Sequence, residues 1–235
     1  MRVLALDTTT EACSAAILTD TGLFGMAEEV GRGHAERILG MVDAVLQESG
    51  LALGMLDGIA ACIGPGAFTG VRISVAVAQG LAFGADVPVV AVSTLEALAY
   101  QAIRGGATRA MACLDARMGE IYWGCFSQDA ARGLSACGIP VVGAAADVIP
   151  QFAGAPFHGI GRGFGAYPAL EGLAGAIVTA GARAALPDAR DMARLGAIRL
   201  AAGEGRDPAD LTPLYLRDKV ALTEIERAAA KQARR

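Results

Sequence analysis

The chain has 235 residues and a formal net charge of −4, so it carries no overall positive field that would attract nucleic acid. A hydrophobic fraction of 54% excludes a disordered chain and is enough to build one large domain or two small ones. The five cysteines are odd in number and show no Cys-x-x-Cys spacing, which favours reduced thiols in a cytoplasmic protein over a disulfide framework. Charged residues interrupt the apolar runs, so we expect neither a secretory signal nor a membrane span; residues 71–85 come nearest to one.

The first elements along the chain are a predicted β-meander and a helix. Three short apolar runs separated by turn residues predict its strands at 2–6, 13–18 and 23–30. Apolar residues then recur at helical spacing over 34–49, with charged residues on the other face. Gly50 is typical of the residue that ends a helix.

A β–α–β–α pattern follows the first helix. We expect a strand at 56–63, a helix over 71–85, a strand at 88–92 and a helix over 94–103. Ser93 and Glu96 have the spacing of a capping box at the start of the last helix. This order predicts parallel strands joined by crossover helices.

The second half of the chain is less regular. Gly105-Gly106 is the predicted boundary, and strands are expected at 111–115 and 120–126. Residues 127–187 are rich in Ala and Gly, and their pattern predicts short strands without a register. An amphipathic helix at 191–202, an extended stretch at 213–217 and a helical tail at 223–235 complete the chain.

Both halves open with an apolar strand that ends in an acidic residue, in Leu6-Asp7-Thr8-Thr9 and in Leu114-Asp115-Ala116-Arg117. This repetition suggests an internal duplication and resembles the actin/hexokinase-like (ASKHA) fold. We therefore expect an α/β protein of two subdomains, each with a mixed central sheet flanked by helices. The expected divisions are a first subdomain at 1–104 that carries partner-binding helices, a smaller one at 105–190, and a helical segment at 191–235 that packs back on the first.

Asp7, Thr8 and Thr9 resemble the first phosphate loop of that fold. Backbone N–H groups and hydroxyls at a strand end can hold phosphate, and a carboxylate can hold hydrated magnesium. The alternative is that these residues only complete a tight turn, and the sequence favours it.

The run Gly64-Pro65-Gly66-Ala67-Phe68-Thr69-Gly70-Val71-Arg72-Ile73 is a constrained loop that leads into a helix. Such a loop can cradle an anion, or its glycines can allow strand, loop and helix to approach closely. No Lys-Ser/Thr pair follows the glycines, so the run is not a nucleotide-binding P-loop, and the structural role is favoured.

The helix at 71–85 is apolar nearly all round, whereas a helix covered by its own sheet on one side shows a polar face. Burial beneath its own domain or against another protein would explain this, and we favour a partner. Ser74, Ala78 and Gly80 are small enough for a second helix to approach, and the helix at 34–49 is expected beside it. The predicted interface residues are Ala35, Ile38, Leu39, Val42, Val45, Leu46, Arg72, Ile73, Ser74, Val77, Ala78 and Leu81.

No catalytic, metal or cofactor site is predicted. The two histidines, His34 and His158, have no second ligand candidate at helical spacing. A nucleophile elbow of the form Gly-x-Ser-x-Gly is missing from the sequence. Asp115 and Glu120 could form a catalytic carboxylate pair, but a solvated or structural role is more common for such residues.

Several motifs together resemble the TsaB (YeaZ) family over nearly the whole chain, and the resemblance is weak at 127–187. The most specific is the glycine run that ends in Val71-Arg72-Ile73. The other motifs, in the family's order, are Leu4-Ala5-Leu6-Asp7-Thr8-Thr9, Ser93-Thr94-Leu95-Glu96-Ala97-Leu98-Ala99, Asp115-Ala116-Arg117-Met118-Gly119-Glu120-Ile121-Tyr122-Trp123 and Pro213-Leu214-Tyr215-Leu216-Arg217.

The resemblance implies a non-catalytic scaffold in the synthesis of N6-threonylcarbamoyladenosine at adenosine 37 of tRNA. The implied partners are the catalytic subunit TsaD, in a heterodimer, and the ATPase TsaE, with tRNA contacted indirectly and a homodimer possible in isolation. In the family, helices of both proteins form the TsaB–TsaD contact, and here they match 34–49 and 71–85. TsaD carries a metal-binding His-x-x-x-His that this chain lacks. The alternative is a stand-alone ATP-using phosphotransferase or a glycoprotease-like peptidase.

Overall fold

The computed structural model describes residues 1–217. The predicted tail helix at 223–235 and the end of the expected segment 191–235 therefore lie outside the described residues. Within 1–217 the strands form two mixed sheets, one from each half of the chain.

The first sheet has five strands in the order β3-β2-β1-β4-β5. Its central strand, β1, pairs antiparallel with β2 and parallel with β4, while β2–β3 is antiparallel and β4–β5 parallel. The strands are β1 (Val3–Asp7), β2 (Ala12–Leu18), β3 (Leu23–Glu29), β4 (Gly58–Cys62) and β5 (Val89–Val92).

The second sheet repeats this arrangement in the order β11-β10-β6-β7-β8, and β9 also pairs with β7. Its central strand, β6, pairs antiparallel with β7 and parallel with β10, as β1 does with β2 and β4. The matching orders confirm the expected duplication. The strands are β6 (Arg109–Arg117), β7 (Glu120–Asp129), β8 (Gly133–Ala136), β9 (Val141–Ala144), β10 (Phe157–Ile160) and β11 (Ala176–Ile177).

Six α-helices accompany the sheets within the described part of the chain. They are α1 (His34–Ser49), α2 (Phe68–Ala85), α3 (Thr94–Arg104), α4 (Arg162–Ala166), α5 (Ala180–Ala184) and α6 (Ala189–Ala201). Helix α1 has the predicted bounds, and Gly50 adopts the left-handed conformation that ends it. The predicted capping box at Ser93 is present.

Helices α3 and α6 lie between the two sheets, whereas α1 and α2 cover the outer face of the first sheet. The alternating direction of the side chains along β1 explains these layers, because successive side chains of a strand point to opposite faces of the sheet. Val3 and Ala5 pack inward with α6, and Leu4 and Leu6 pack outward against the other two helices. Both faces are buried, so the strand reads as a continuous apolar run.

The boundary expected at 104–105 falls between α3 and β6, yet α3 packs on the second sheet, against β6 and β7. Helix α6 returns to the first sheet and contacts β1, β2, β4 and β5. The two halves of the chain therefore exchange covering helices. This exchange places one continuous apolar core between the sheets.

We call each sheet, together with the helices that cover it, a lobe. Residues 127–187, for which the sequence predicts no register, complete the second lobe with β8–β11, α4 and α5. A separate core covers the outer face of this sheet and includes Trp123, Phe152, Phe157 and Phe164. The glycine-rich stretch at 159–163 ends β10 and leads into the short helix α4. It corresponds in position to the loop that leads from β4 into α2.

Candidate functional site

The exposed side of α2 is a stripe of mostly small or apolar residues. Arg72, Ala76, Gly80 and Phe83 recur every three or four positions and are all exposed, Phe83 to 60%. Val75 and Ala82 lie on the opposite side and are buried against the first sheet. By length and composition, α2 is the one helix in the described part of the chain that could cross a membrane, and 33% of it is buried. In the structure it packs on β4 and against α1.

The twelve predicted interface residues fall into two groups by burial. Five of them have no more than 1% exposure, because they form the inner faces of α1 and α2: Ile38, Val42, Val45, Ser74 and Ala78. Helical periodicity identified the apolar face of α1 correctly, but that face packs on the sheet of its own lobe. Ser74 and Ala78 likewise point inward, so of the three small residues expected to admit a partner helix only Gly80 is exposed.

The other seven residues are wholly or partly accessible: Ala35, Leu39, Leu46, Arg72, Ile73, Val77 and Leu81. With Ala76, Gly80 and Phe83, which the prediction omitted, they form what we call the α1–α2 surface. Leu39 is 51% exposed on α1, which contacts α2. A Cβ atom added at Gly80 would meet no atom within 4 Å, so another chain can approach the helix backbone there.

The Asp7 turn is closed within the first lobe. Asp7, Thr8 and Thr9 are completely buried. Asp7 Oδ1 accepts hydrogen bonds from Thr9 N at 2.8 Å and Thr9 Oγ1 at 2.7 Å, while Asp7 Oδ2 has no partner. Burial raises the pKa of the Asp7 carboxyl above its ordinary value, and the two Thr9 hydrogen bonds oppose this shift.

The glycine loop covers this turn. Ala67 N donates to Thr9 O at 2.7 Å, and Thr8 Oγ1 donates to Gly70 O at 2.7 Å. A Cβ atom at Gly66 would clash with Thr9 O, and one at Gly70 would clash with Thr8 O. The glycines thus allow two backbone segments to touch, and the carbonyl groups of the turn face protein instead of solvent.

The corresponding turn of the second lobe is open. Asp115 Oδ1 accepts a hydrogen bond from Arg117 N at 2.8 Å, and its carboxylate also pairs with the Arg117 side chain. Asp115 lines a cleft of about 810 Å³ between the lobes. Arginines of the second lobe and the C-terminal segment surround this cleft, but each is paired with a carboxylate: Arg117 with Glu11, Arg162 with Glu29, Arg183 with Glu171 and Arg217 with Glu120.

Phe68, Arg72 and Tyr215 form a cluster at the edge of the cleft. The rings of Phe68 and Tyr215 stack with centroids 5.8 Å apart, and the Arg72 guanidinium lies 3.8 Å from the Phe68 ring centroid. Arg72 Nε also donates to the Tyr215 hydroxyl at 3.0 Å. The sequence prediction included Arg72 but missed both rings, although each lies in a motif that carried the family resemblance.

The segment 213–217 connects the lobes across the cleft. Leu214 N donates to Ile63 O at 2.7 Å on the first lobe, and Arg217 Nη2 donates to Ala116 O at 3.1 Å on the second. Arg217 also pairs with Glu120. The glycine run, the motif at 115–123 and the motif at 213–217 are far apart in sequence, and they meet at one edge of the cleft.

The histidines lie apart from each other. His34 Nε2 is 2.9 Å from Thr10 O at the start of α1, and His158 is in β10. Within residues 1–217, no three His, Cys, Asp or Glu side chains come together in a way that would hold a metal ion.

Two lobes of matching strand order that face a cleft, each with an acidic residue near the end of its central strand, define an actin/hexokinase-like protein with duplicated subdomains. Residues 25–222 match the family model of TsaD, described as tRNA N6-adenosine threonylcarbamoyltransferase. The chain is 39% identical over 229 residues to the tRNA threonylcarbamoyladenosine biosynthesis protein TsaB of Escherichia coli K12, and the match covers 96% of this chain and 98% of that protein. The chain belongs to the TsaB (YeaZ) family of tRNA threonylcarbamoyladenosine biosynthesis proteins.

Other relatives agree with this assignment. The Haemophilus influenzae TsaB is 48% identical over 124 residues, which cover 52% of each chain. YeaZ from Pseudomonas aeruginosa superposes with a TM-score of 0.84 at 41% identity, covering 92% of this chain and 99% of that one. A second structure from that organism, described as similar to peptidase YEAZ, has a TM-score of 0.85 at the same identity and coverage.

Proposed function

We propose that this chain is a non-catalytic subunit that binds the transferase TsaD through the α1–α2 surface and supports threonylcarbamoylation of adenosine 37 in tRNA. The observation that carries the proposal is the exposed stripe of α2. Exposed apolar residues of this kind are typical of a surface that a partner covers. TsaD is the proposed partner because membership of the TsaB family implies it.

A scaffold role is further supported by the closed Asp7 turn. In a phosphate loop the backbone N–H groups and hydroxyls must face the ligand. Here Thr8 and Thr9 are buried and their hydroxyls bond within the protein. Loss of access at this turn fits a subunit that keeps the fold of an ATPase for assembly.

The cleft edge is the proposed location of a second contact, to TsaE. In the Phe68–Arg72–Tyr215 cluster, Phe68 and Arg72 belong to α2, while the rings of Phe68 and Tyr215 line the cleft, so a protein seated there would touch this chain beside TsaD. Transfer RNA is proposed to reach the chain only through the complex, since the net charge is −4. The proposed compartment is the cytoplasm, where tRNA is modified.

The proposal is tested by placing a charge on the stripe. Ala76→Glu leaves the helix inner face unchanged, and we expect it to weaken binding to TsaD by about tenfold or more, because a carboxylate would be buried without a partner. The matched control is Ile149→Glu on the second lobe, where Ile149 is 76% exposed. Calorimetric titration of each folded variant with TsaD measures the effect. Equal affinities of the two variants for TsaD would rule out the α1–α2 surface as the TsaD-binding site.

The alternative, a stand-alone phosphotransferase or peptidase, is examined with the isolated chain. Calorimetry with Mg-ATP and a peptidase assay should both give no signal if the scaffold role is right. Turnover by the isolated chain would favour the alternative. Light scattering with and without TsaD then shows whether free α1–α2 surfaces pair into a homodimer, which TsaD would dissociate.

A further inference from the structure

Cys125 and Cys137 lie opposite each other at an edge of the second sheet. Strands β7 and β8 pair antiparallel with Phe126 opposite Ala136, so the next pair outward is Cys125 and Cys137. Cys137 N donates to Cys125 O at 2.8 Å, which extends the ladder to this pair. Residues directly opposite in such a pair point to the same face with Cβ atoms about 4.5–5.5 Å apart. Disulfides have Cα separations of about 4.4–6.8 Å, which covers both kinds of antiparallel pair.

A second contact places the Cys137 thiol on that face. Its Sγ atom is 3.0 Å from Ser127 Oγ, and Ser127 follows Cys125 by two positions on the same strand, so both point to the same side. The Cys125 sulfur accepts a hydrogen bond from Gln151 N at 3.4 Å. Rotation about the Cα–Cβ bond of Cys137 would turn its sulfur from Ser127 towards Cys125, since Ser127 and Cys125 lie on the same face of strand β7.

The two thiols differ in access. Cys137 is exposed, whereas Cys125 is 1% exposed in the outer core of the lobe. Burial raises the pKa of the Cys125 thiol to about 11, so Cys125 is a poor first target for an oxidant. Cys13, Cys62 and Cys113 are also buried, and the Cys113 sulfur packs under Gly163.

We propose that Cys125 and Cys137 form a reversible intramolecular disulfide when the protein meets a hydroperoxide. The Cys137 thiolate attacks the peroxide O–O bond, giving a sulfenic acid and, for hydrogen peroxide, hydroxide that is protonated to water. Cys125 sulfur then attacks the sulfenic sulfur, the S–O bond breaks, and the proton of Cys125 leaves with the departing hydroxide as a second water. Two thiols are oxidised and one peroxide is reduced to two waters.

The bond would fix the connection between β8 and β9, since both strands pair along β7. Ile139 lies in this connection and is 83% exposed. Reversible disulfides of this type occur in reducing compartments as redox sensors. The inference does not depend on the partner proposed for α1–α2.

Trypsin makes the test direct, because cleavage after Arg132 separates Cys125, in peptide 118–132, from Cys137, in peptide 133–162. The full chain is treated with hydrogen peroxide, its free thiols are alkylated in denaturant, and the digest is analysed by mass spectrometry. We expect these two peptides joined, lighter by two hydrogen atoms than their sum, and separated again by a thiol reductant. Cys137→Ser should abolish the product, while Ser127→Ala, which keeps both thiols, should retain it.

Three outcomes would overturn the proposal. They are Cys137 carrying two or three oxygen atoms without a cross-link, a covalent dimer through Cys137, and Cys125 joined to Cys113. The experiment on the unsubstituted chain decides between these outcomes and the disulfide, so it does not depend on the folding of any variant.

Discussion

Asp7 and Asp115 occupy equivalent positions in the two lobes and make the same hydrogen bond. Each follows the central strand's apolar run, and each accepts the backbone N–H of the residue two positions later at 2.8 Å. Their surroundings differ, because Asp7 is completely buried beneath the glycine loop while Asp115 lines the cleft. One duplicated turn thus became part of the core and the other remained at the surface.

The closure of the Asp7 turn predicts a strong effect of Gly66→Ala. The added Cβ would clash with Thr9 O, so the loop must move, and we expect a loss of about 1–3 kcal/mol in the free energy of unfolding. Gly80→Ala is the matched control, because its Cβ meets open space within a helix and should stabilise by about 0.5–1 kcal/mol. Urea denaturation measures both. An equal effect of the two substitutions would contradict the close contact.

The buried carboxyl of Asp7 predicts a specific pH dependence. Its pKa in the folded protein is raised above the ordinary value of 3.8, so the folded state binds more protons than the unfolded state between these two values. Stability therefore falls in that window as pH rises, by up to about 1.4 kcal/mol per pH unit. The loss of stability caused by ionising Asp7 is absent below this pH window and constant above it.

Asp7→Asn removes the titrating group and should remove this fall. Urea denaturation of both proteins from acid to neutral pH gives the difference in unfolding free energy, in which the titration of other groups cancels. The D7N variant should gain stability relative to the parent chain as pH rises through the window. A difference that stays flat would show that Asp7 has an ordinary pKa.

The capping box at the start of α3 predicts a modest cost for Ser93→Ala. Ser93 Oγ accepts from Glu96 N at 3.1 Å, and Glu96 Oε2 accepts from Ser93 N at 2.8 Å. Loss of the hydroxyl should cost about 1 kcal/mol of stability. Ser93→Thr keeps the hydroxyl, so thermal unfolding of this variant should stay closer to that of the parent. The interpretation fails if both variants unfold alike.

The aromatic contact of Tyr215 predicts that the segment 213–217 loosens when the ring is removed. Tyr215→Ala loses both the stack on Phe68 and the hydrogen bond from Arg72, whereas Tyr215→Phe loses only the second. Stacked pairs contribute about 0.5–1.5 kcal/mol. Amide exchange at Leu214, whose N–H is bonded to Ile63 O, should speed up in Y215A and much less in Y215F. Similar exchange in both would place the restraint elsewhere.

Regular elements in the first half of the chain were predictable because their signals are local. Helix α1 and its Gly50 cap follow from periodicity and a single glycine, and the Ser93 capping box follows from a three-residue spacing. The second lobe gave little signal, since β8–β11 have at most four residues each and lie among alanines and glycines. Strands this short depend on tertiary pairing for their register.

The interface prediction shows the same limit at the level of single residues. Periodicity places Ile38 and Val42 on the apolar face of α1, and both are among the predicted interface residues, but this face is buried on the chain's own sheet. Leu39, on the other side, is exposed. A helical pattern separates faces without telling what covers each, and that depends on which elements of the fold lie beside the helix.

Motifs and periodicity are properties of neighbouring residues, so the sequence is enough to predict the duplicated α/β class, the glycine loop and the family. The tertiary structure alone decided that Asp7 is sealed, that α3 and α6 exchange lobes, and that Phe68 meets Tyr215. Each of these joins residues far apart along the chain. Such contacts depend on how the two sheets and their helices pack, which no local pattern records.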